Sequence, residues 1–210
     1  QRIDYYWRLF GTGFSFTIFG LGGLLLSLTL FPTIHLVSLN RGVANQRCQY
    51  VVHLSFRTFI WTMCGLGVLT YEVVGIEKLR RQDASLIVSN HPSLIDIVFL
   101  VSFLPQALCV VKKAAWSNPF MAGVMWATGY IPNDDPARFI DACVKCIEHG
   151  RRLVIFPEGT RTVPGRPMKL KRGAATIIAK SRRPFVPITI TSDPTTLTKA
   201  EKWYDIPTNR

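Results

Sequence analysis

Formal charge is absent from Leu9 to Asn40, a run of 32 residues, and acidic residues are few throughout, 13 against 25 Lys and Arg. The first absence excludes an ordinary water-facing surface for that stretch. The second leaves a net charge of +12, which calls for an anionic partner. No zinc-finger spacing, basic helix or RNA-binding signature accompanies the charge, so nucleic acid is not the expected partner. An anionic lipid surface, an acidic carrier protein or a phosphate-bearing substrate suits it instead. The five cysteines, Cys48, Cys64, Cys109, Cys143 and Cys146, are odd in number and scattered. That excludes a disulfide framework and points to a reducing compartment. Cys143-Val-Lys-Cys146 lies in a helical pattern without a second pair, so no zinc or other metal site is expected. Internal repeats and low-complexity segments are missing as well.

What is present divides the chain in two. Hydrophobic residues make up 48% and charged residues 18%, and the apolar excess lies in residues 1–70. The only formal charges there are Arg2, Asp4, Arg8, Arg41, Arg47 and Arg57. The run FSFTIFGLGGLLLSLTLF is long enough for a transmembrane or deeply embedded helix. Arg2 and Arg8 flank one end and Arg41 and Arg47 the other, while Tyr5, Tyr6 and Trp7 resemble an interfacial belt. No small-x-small cleavage site follows, so the segment is expected to be retained. A second apolar segment, from about Tyr50 to Thr70, is short for a full span, and a helical hairpin in one leaflet fits as well as two spans. Residues 1–70 are therefore read as membrane-anchoring helices. Residues 71–210 are read as an α/β domain, with both chain ends expected to be trimmed.

After Tyr71 short strands alternate with helices. YEVVGI, SLIVSN, LCVVKK, RRLVIF and FVPITI read as strands. Helices are expected from Leu94 to Leu104, after Ser117-Asn118-Pro119, from Asp135-Pro136 to Gly150, and from Gly173 to Lys180. The alternation implies a mostly parallel central sheet covered by helices. Sites in such sheets lie at the carboxyl ends of strands, where His91 and Glu158 fall.

Three stretches carry chemistry. In Ser89-Asn90-His91-Pro92-Ser93-Leu94-Ile95-Asp96, Ser93 is placed to cap a helix with Asp96 in its first turn, a capping-box-like pattern. The same spacing sets a carboxylate behind a histidine, which fixes a tautomer and supports basicity. The two readings are compatible. Phe156-Pro157-Glu158-Gly159-Thr160-Arg161-Thr162 follows an apolar strand. Gly159 permits close backbone approach, and Arg161 offers a fork for phosphate or carboxylate. Lys169-Leu170-Lys171-Arg172-Gly173-Ala174 puts cations before a helix start, which suits an anion as well as a solvated loop.

Together, His91-x4-Asp96 with Asn90 before it, the FPEGTR run at 156–161 and Val186-Pro187-Ile188 resemble signature blocks of the glycerolipid acyltransferases. The likeness is to the lysophosphatidate type, and it extends from about Tyr71 to Ile190, including GIEKL at 75–79. It implies transfer of a fatty acyl group from a thioester, on acyl carrier protein or coenzyme A, to the hydroxyl of a lysophospholipid, without a cofactor. His91 would be the general base and Asp96 its orienting carboxylate. Glu158, Gly159, Thr160, Arg161, Lys171 and Arg172 would bind the acceptor and its phosphate, so loss of Arg161 would raise the acceptor KM. Direct attack needs no enzyme nucleophile, and no G-x-S-x-G elbow is present. The resemblance also implies a two-helix membrane motif and a site at the inner membrane facing the cytoplasm. One block departs. Gly129-Tyr130-Ile131-Pro132-Asn133-Asp134-Asp135 carries two acids where the family has a cation, which leaves the acceptor headgroup open. A different lysolipid acceptor, a non-catalytic lipid-binding protein of the same fold and a thioesterase using Ser93 are the alternatives.

Overall fold

A computed structural model describes residues 2–80 and 86–207. Three helices open the chain: α1 (Arg2–Leu28), α2 (Leu30–Val37) and α3 (Arg41–Gly65). There follow α4 (Ile76–Arg80), β1 (Leu86–Ser89), α5 (Asp96–Phe103) and β2 (Leu108–Val111). Next come α6 (Lys113–Trp116), α7 (Pro119–Thr128), β3 (Ile131–Pro132) and α8 (Pro136–Glu148). β4 (Leu153–Ile155), α9 (Arg172–Ser181) and β5 (Phe185–Ile188) complete the order.

The strands form one parallel sheet in the order β3-β2-β4-β1-β5. Right-handed crossovers assign the helices to faces. The steps from β1 to β2 and from β2 to β3 run toward one edge, while those from β3 to β4 and from β4 to β5 run back. α5 and α7 therefore cover one face, and α8 and α9, which pack on each other, cover the other. Leu86, Ile87, Leu153, Val154 and Ile155 are buried in the central strands, the unbroken apolar run of a sheet covered on both faces. Pro187 sits in β5 at the sheet edge, where a missing N–H costs no ladder bond.

α3 lies on α5 and α7. Its inner face is Ala44, Cys48, Val52, Phe59, Ile60 and Met63, and its start is capped by Asn40, whose side chain accepts from the Val43 N–H at 2.9 Å. Polar bonds fix its register. Gln49 donates to the Thr128 carbonyl at 2.7 Å and accepts from Arg151 at 2.6 Å. His53 Nδ1 donates to the Val101 carbonyl at 2.8 Å.

α1 packs on α3 and α7 but leaves Ile3, Trp7, Phe10, Phe14, Ile18, Leu21, Leu25 and Leu28 exposed. Steps of three and four place them on one face of the helix. So long an apolar stripe is a surface for lipid or a partner. α1 stops at Thr29 because Pro32 has no N–H to give to the Leu28 carbonyl and its ring crowds that group. Arg2–Val37, 36 residues, is long and apolar enough to cross a membrane. At 1.5 Å per residue it spans roughly 54 Å against the about 30 Å of a hydrocarbon core.

Two local expectations fail. YEVVGI is not a strand: residues 71–75 are irregular and Ile76 begins α4. Both sides of β1 are already occupied, by β4 and β5, and Gly75 turns the chain at φ +76. The helix after His91 begins at Asp96 rather than after a Ser93 cap, with no side-chain bond from its capping residue Ile95.

Gln49 is nearly inaccessible, so Gln49→Ala strands the Thr128 carbonyl and the Arg151 guanidinium. An unpaired buried group costs about 2 kcal/mol, which lowers the thermal midpoint by roughly 4–8 °C in detergent. An unchanged midpoint in differential scanning fluorimetry contradicts this role for Gln49.

Candidate active site

β1 and β4 are neighbours, and the two signature stretches leave their carboxyl ends side by side. His91 follows β1 by two residues, and Glu158 follows β4 by three. Pro92 forbids a helical continuation at His91, so the chain turns there. His91 Nδ1 lies 2.9 Å from Asp96 Oδ2. The same carboxylate oxygen accepts the Ser93 N–H at 2.7 Å. A carboxylate can only accept, so Nδ1 carries the proton and the Nε2 lone pair is left for chemistry. Asp96 is buried, with 2% of its side chain exposed against 16% for His91. The imidazole stacks on the Phe156 ring, centroids 4.1 Å apart and planes 17° apart.

The second turn holds the first. Glu158, 7% exposed, accepts the His91 N–H at 3.1 Å and the Thr162 hydroxyl at 2.7 Å through one oxygen. The Thr162 N–H returns to the His91 carbonyl at 2.7 Å. Asn90 is locked to the end of the sheet: its amide donates to the Ile190 carbonyl at 2.8 Å and accepts the Ile190 N–H at 2.7 Å. The histidine thus has its own backbone and that of its predecessor fixed from two directions.

The remaining candidates lie in the second turn or at the start of α9. Gly159 is at φ +64, and a β-carbon there would lie 2.9 Å from Lys171 Cε and Nζ. Glycine is needed both for its conformation and for the lysine that crosses it. The Lys171 N–H donates to the Pro157 carbonyl at 2.8 Å, which fixes the lysine over the turn. Thr160 is half-buried in the turn, and Arg172 opens α9 at the exposed surface. Arg161 departs from the expected layout: its Nη1 donates to the carbonyls of Leu197 and Thr198 at 2.9 and 2.8 Å. The acids of the departing block serve the fold. Asp135 accepts from the Ala137 and Arg138 N–H groups as the cap of α8, and Asp134 lies 3.8 Å from Lys113. That block leaves β3, three strands from β1 and so roughly 14 Å away. Arg138 is mostly exposed and pairs with Asp135 at 3.4 Å.

Sequence reasoning missed Phe156 as a shelf for the imidazole, although an aromatic residue at the strand end was its signal. It also missed the Asn90–Ile190 clasp and the contact of Arg161 with residues 197 and 198, which no local pattern announces.

The acyltransferase family model matches residues 70–191, more than half of the chain, and the chain belongs to that family. It is 35% identical over 125 residues to the chloroplastic 1-acyl-sn-glycerol-3-phosphate acyltransferase BAT2 of Brassica napus, a match covering 57% of this chain and 36% of that protein. It is 35% identical over 126 residues to the 1-acyl-sn-glycerol-3-phosphate acyltransferase of Helicobacter pylori strain J99, covering 56% and 53% respectively. The chain therefore spans between about a third and about half the length of these relatives. The fold is shared with the crystal structure of the 1-acyl-sn-glycerophosphate acyltransferase PlsC from Thermotoga maritima, with a TM-score of 0.68 at 18% identity, covering 96% of this chain and 80% of that one.

No thiol stands in for a nucleophile. Burial pushes the Cys109 and Cys143 thiols up to about 12, the latter helped by its neighbour Cys146, and burial raises Cys146 itself to about 11. Thiols raised in this way stay protonated and unreactive at neutral pH. Iodoacetamide at pH 7.5 is expected to leave acyl transfer within about twofold of the untreated enzyme. Rapid, stoichiometric inactivation contradicts this.

Proposed function

We propose that this protein is a membrane-bound O-acyltransferase that moves a fatty acyl group from an acyl thioester to the free hydroxyl of a lysophospholipid, foremost lysophosphatidate. The observation that carries the proposal is the 2.9 Å contact between His91 Nδ1 and Asp96. Family membership supports the reaction class, and the activities for which the relatives are named support the acceptor. The acceptor hydroxyl gives its proton to His91 Nε2 as its oxygen attacks the thioester carbonyl carbon. The tetrahedral oxyanion then collapses, the C–S bond breaks, and the thiolate takes the proton from the imidazolium. An ester and a free thiol result, with no acyl-enzyme between them.

Oxyanion stabilisation needs N–H groups without partners. The amides of His91, Ser93, Leu94, Gly159 and Thr162 are engaged within the protein. The amides of Glu158, Thr160 and Arg161, in the turn that holds His91, enter none of the bonds made by the other amides of the two turns and are the donors proposed for the oxyanion. The acceptor phosphate takes its charge from Lys171 over Gly159 and from Arg172 at the start of α9. Lys171 crosses Gly159 of the second turn and Arg172 follows it in sequence, and the two would replace the cation missing from Asn133-Asp134-Asp135. A lysolipid with a phosphate headgroup is thereby favoured over an uncharged acceptor.

The exposed stripe of α1 supplies the membrane contact, and the basic surface faces an anionic leaflet. Free cysteines suit the reducing, cytoplasmic side of that membrane. Acyl carrier protein and coenzyme A are both donors of the required chemistry.

His91→Ala is expected to lower kcat between about a hundredfold and ten-thousandfold while the protein stays folded and membrane-bound. Activity within about tenfold of the parent defeats the general-base assignment. Lys171→Ala is expected to raise the acceptor KM about tenfold with the donor KM within about twofold. Equal changes in both contradict the phosphate role. One assay of the membrane fraction, with labelled acyl thioester against a panel of lysolipids, tests the reaction itself.

A further inference from the structure

Phe156 directly follows β4 and opens the second signature turn, and its ring lies flat against the imidazole of His91, centroids 4.1 Å apart and planes 17° apart. Both partners are held in this contact. The Gly159 N–H donates to the Phe156 carbonyl at 3.0 Å, which fixes the turn, and the Phe156 ring packs against the core. The His91 backbone is held from the same turn: its N–H donates to Glu158 at 3.1 Å, and its carbonyl accepts the Thr162 N–H at 2.7 Å. The bonds that join the two turns therefore also build the stack. The charged groups near the histidine lie elsewhere. Asp96 accepts from Nδ1 at one edge of the ring, Glu158 binds the backbone N–H, and Lys171 crosses Gly159 farther along the turn. Among the described residues Phe156 is the aromatic group on the imidazole face.

We infer that Phe156 is a positioning residue of the reaction, whose ring steadies the positive charge that His91 carries between deprotonating the acceptor and protonating the leaving thiolate. The inference rests on the acyltransferase reading for its kinetic consequences. The face of an aromatic ring is the negative side of its quadrupole. A cation over that face is attracted, more strongly where water is excluded, and 16% of the His91 side chain is exposed. A neutral imidazole gains only packing from the stack. Once the acceptor O–H bond breaks and the proton sits on Nε2, the imidazolium gains the attraction as well. An interaction that strengthens as the proton moves lowers the barrier and leaves ground-state binding alone. An aliphatic side chain at 156 would fill the same space without a quadrupole, so packing and charge stabilisation are separable.

The test uses Phe156→Leu, Phe156→Tyr and a series of full-length proteins in which the Phe156 ring carries one, two or three fluorines. Fluorine drains the ring face of negative charge and barely alters its shape, so a purely packing role is blind to it. Phe156→Leu is expected to lower kcat about tenfold with both KM values within about twofold. Phe156→Tyr keeps the ring face and stays within about twofold of the parent. Across the fluorine series kcat falls stepwise, by about fivefold at three fluorines. A second arm needs no acyl transfer. Diethyl pyrocarbonate at about pH 8 carbethoxylates neutral imidazole, and attack by Nε2 puts the same positive charge on the ring. Mass spectrometry of the His91 peptide is expected to show that rate falling in the same fluorine order. A parent that acylates no lysolipid defeats the reaction reading, and the carbethoxylation rates alone then decide for or against the stack. Rates that ignore fluorine overturn the inference in either arm, and so does a loss in Phe156→Leu that appears in KM at unchanged kcat.

Discussion

The buried carboxylate of Glu158 is the constraint on which the site depends. A charge removed from water must be repaid by hydrogen bonds of good geometry, and the two donors it finds are the His91 N–H and the Thr162 hydroxyl. The Thr162 N–H closes the loop on the His91 carbonyl. Two segments far apart in sequence become one rigid unit at the ends of adjacent strands. Asp96 then needs only to hold the imidazole, because the backbone beneath it cannot drift. The resemblance implies a role for Glu158 toward the acceptor, whereas here its Oε1 binds the protein's own groups.

The same economy extends to the anchor. α3 is tied to the α/β domain by Gln49 and His53 as well as by its apolar face. The exposed apolar stripe of α1 and the histidine turn therefore belong to one packed body. For a lipid substrate this matters physically, since the acceptor hydroxyl and the headgroup must meet His91 and Lys171 while the chain stays in the apolar phase.

Much of this was legible in the sequence, for identifiable reasons. The parallel sheet follows from apolar runs at SLIVSN, LCVVKK and RRLVIF separated by amphipathic stretches with marked caps, and Asn118 and Asp135 do cap α7 and α8. The His91–Asp96 spacing announced a contact that is present at 2.9 Å, because both ends lie in one local turn. YEVVGI misled because a β-branched run says nothing about whether a strand edge is free to receive it. The capping-box reading of Ser93 holds by half: Asp96 accepts the Ser93 N–H, while the Ser93 hydroxyl finds no partner among the described residues and the helix begins only at Asp96. Side-chain destinations across the chain were beyond reach. FPEGTR shows that an arginine is present, but its partners are carbonyls at 197 and 198, in a stretch with no periodic signal of its own. The acids at 134 and 135 looked like a lost cation site, and the structure shows a helix cap and an exposed ion pair.

The central claim is that the His91–Asp96 pair acts as a base on the acceptor and that no covalent acyl-enzyme forms. Rapid-mixing measurement of free thiol release from an acyl thioester, with and without lysophosphatidate, tests it most directly. The account predicts that thiol appears only when acceptor is present, in a single phase matching ester formation. A burst of one thiol per enzyme in the absence of acceptor would contradict it.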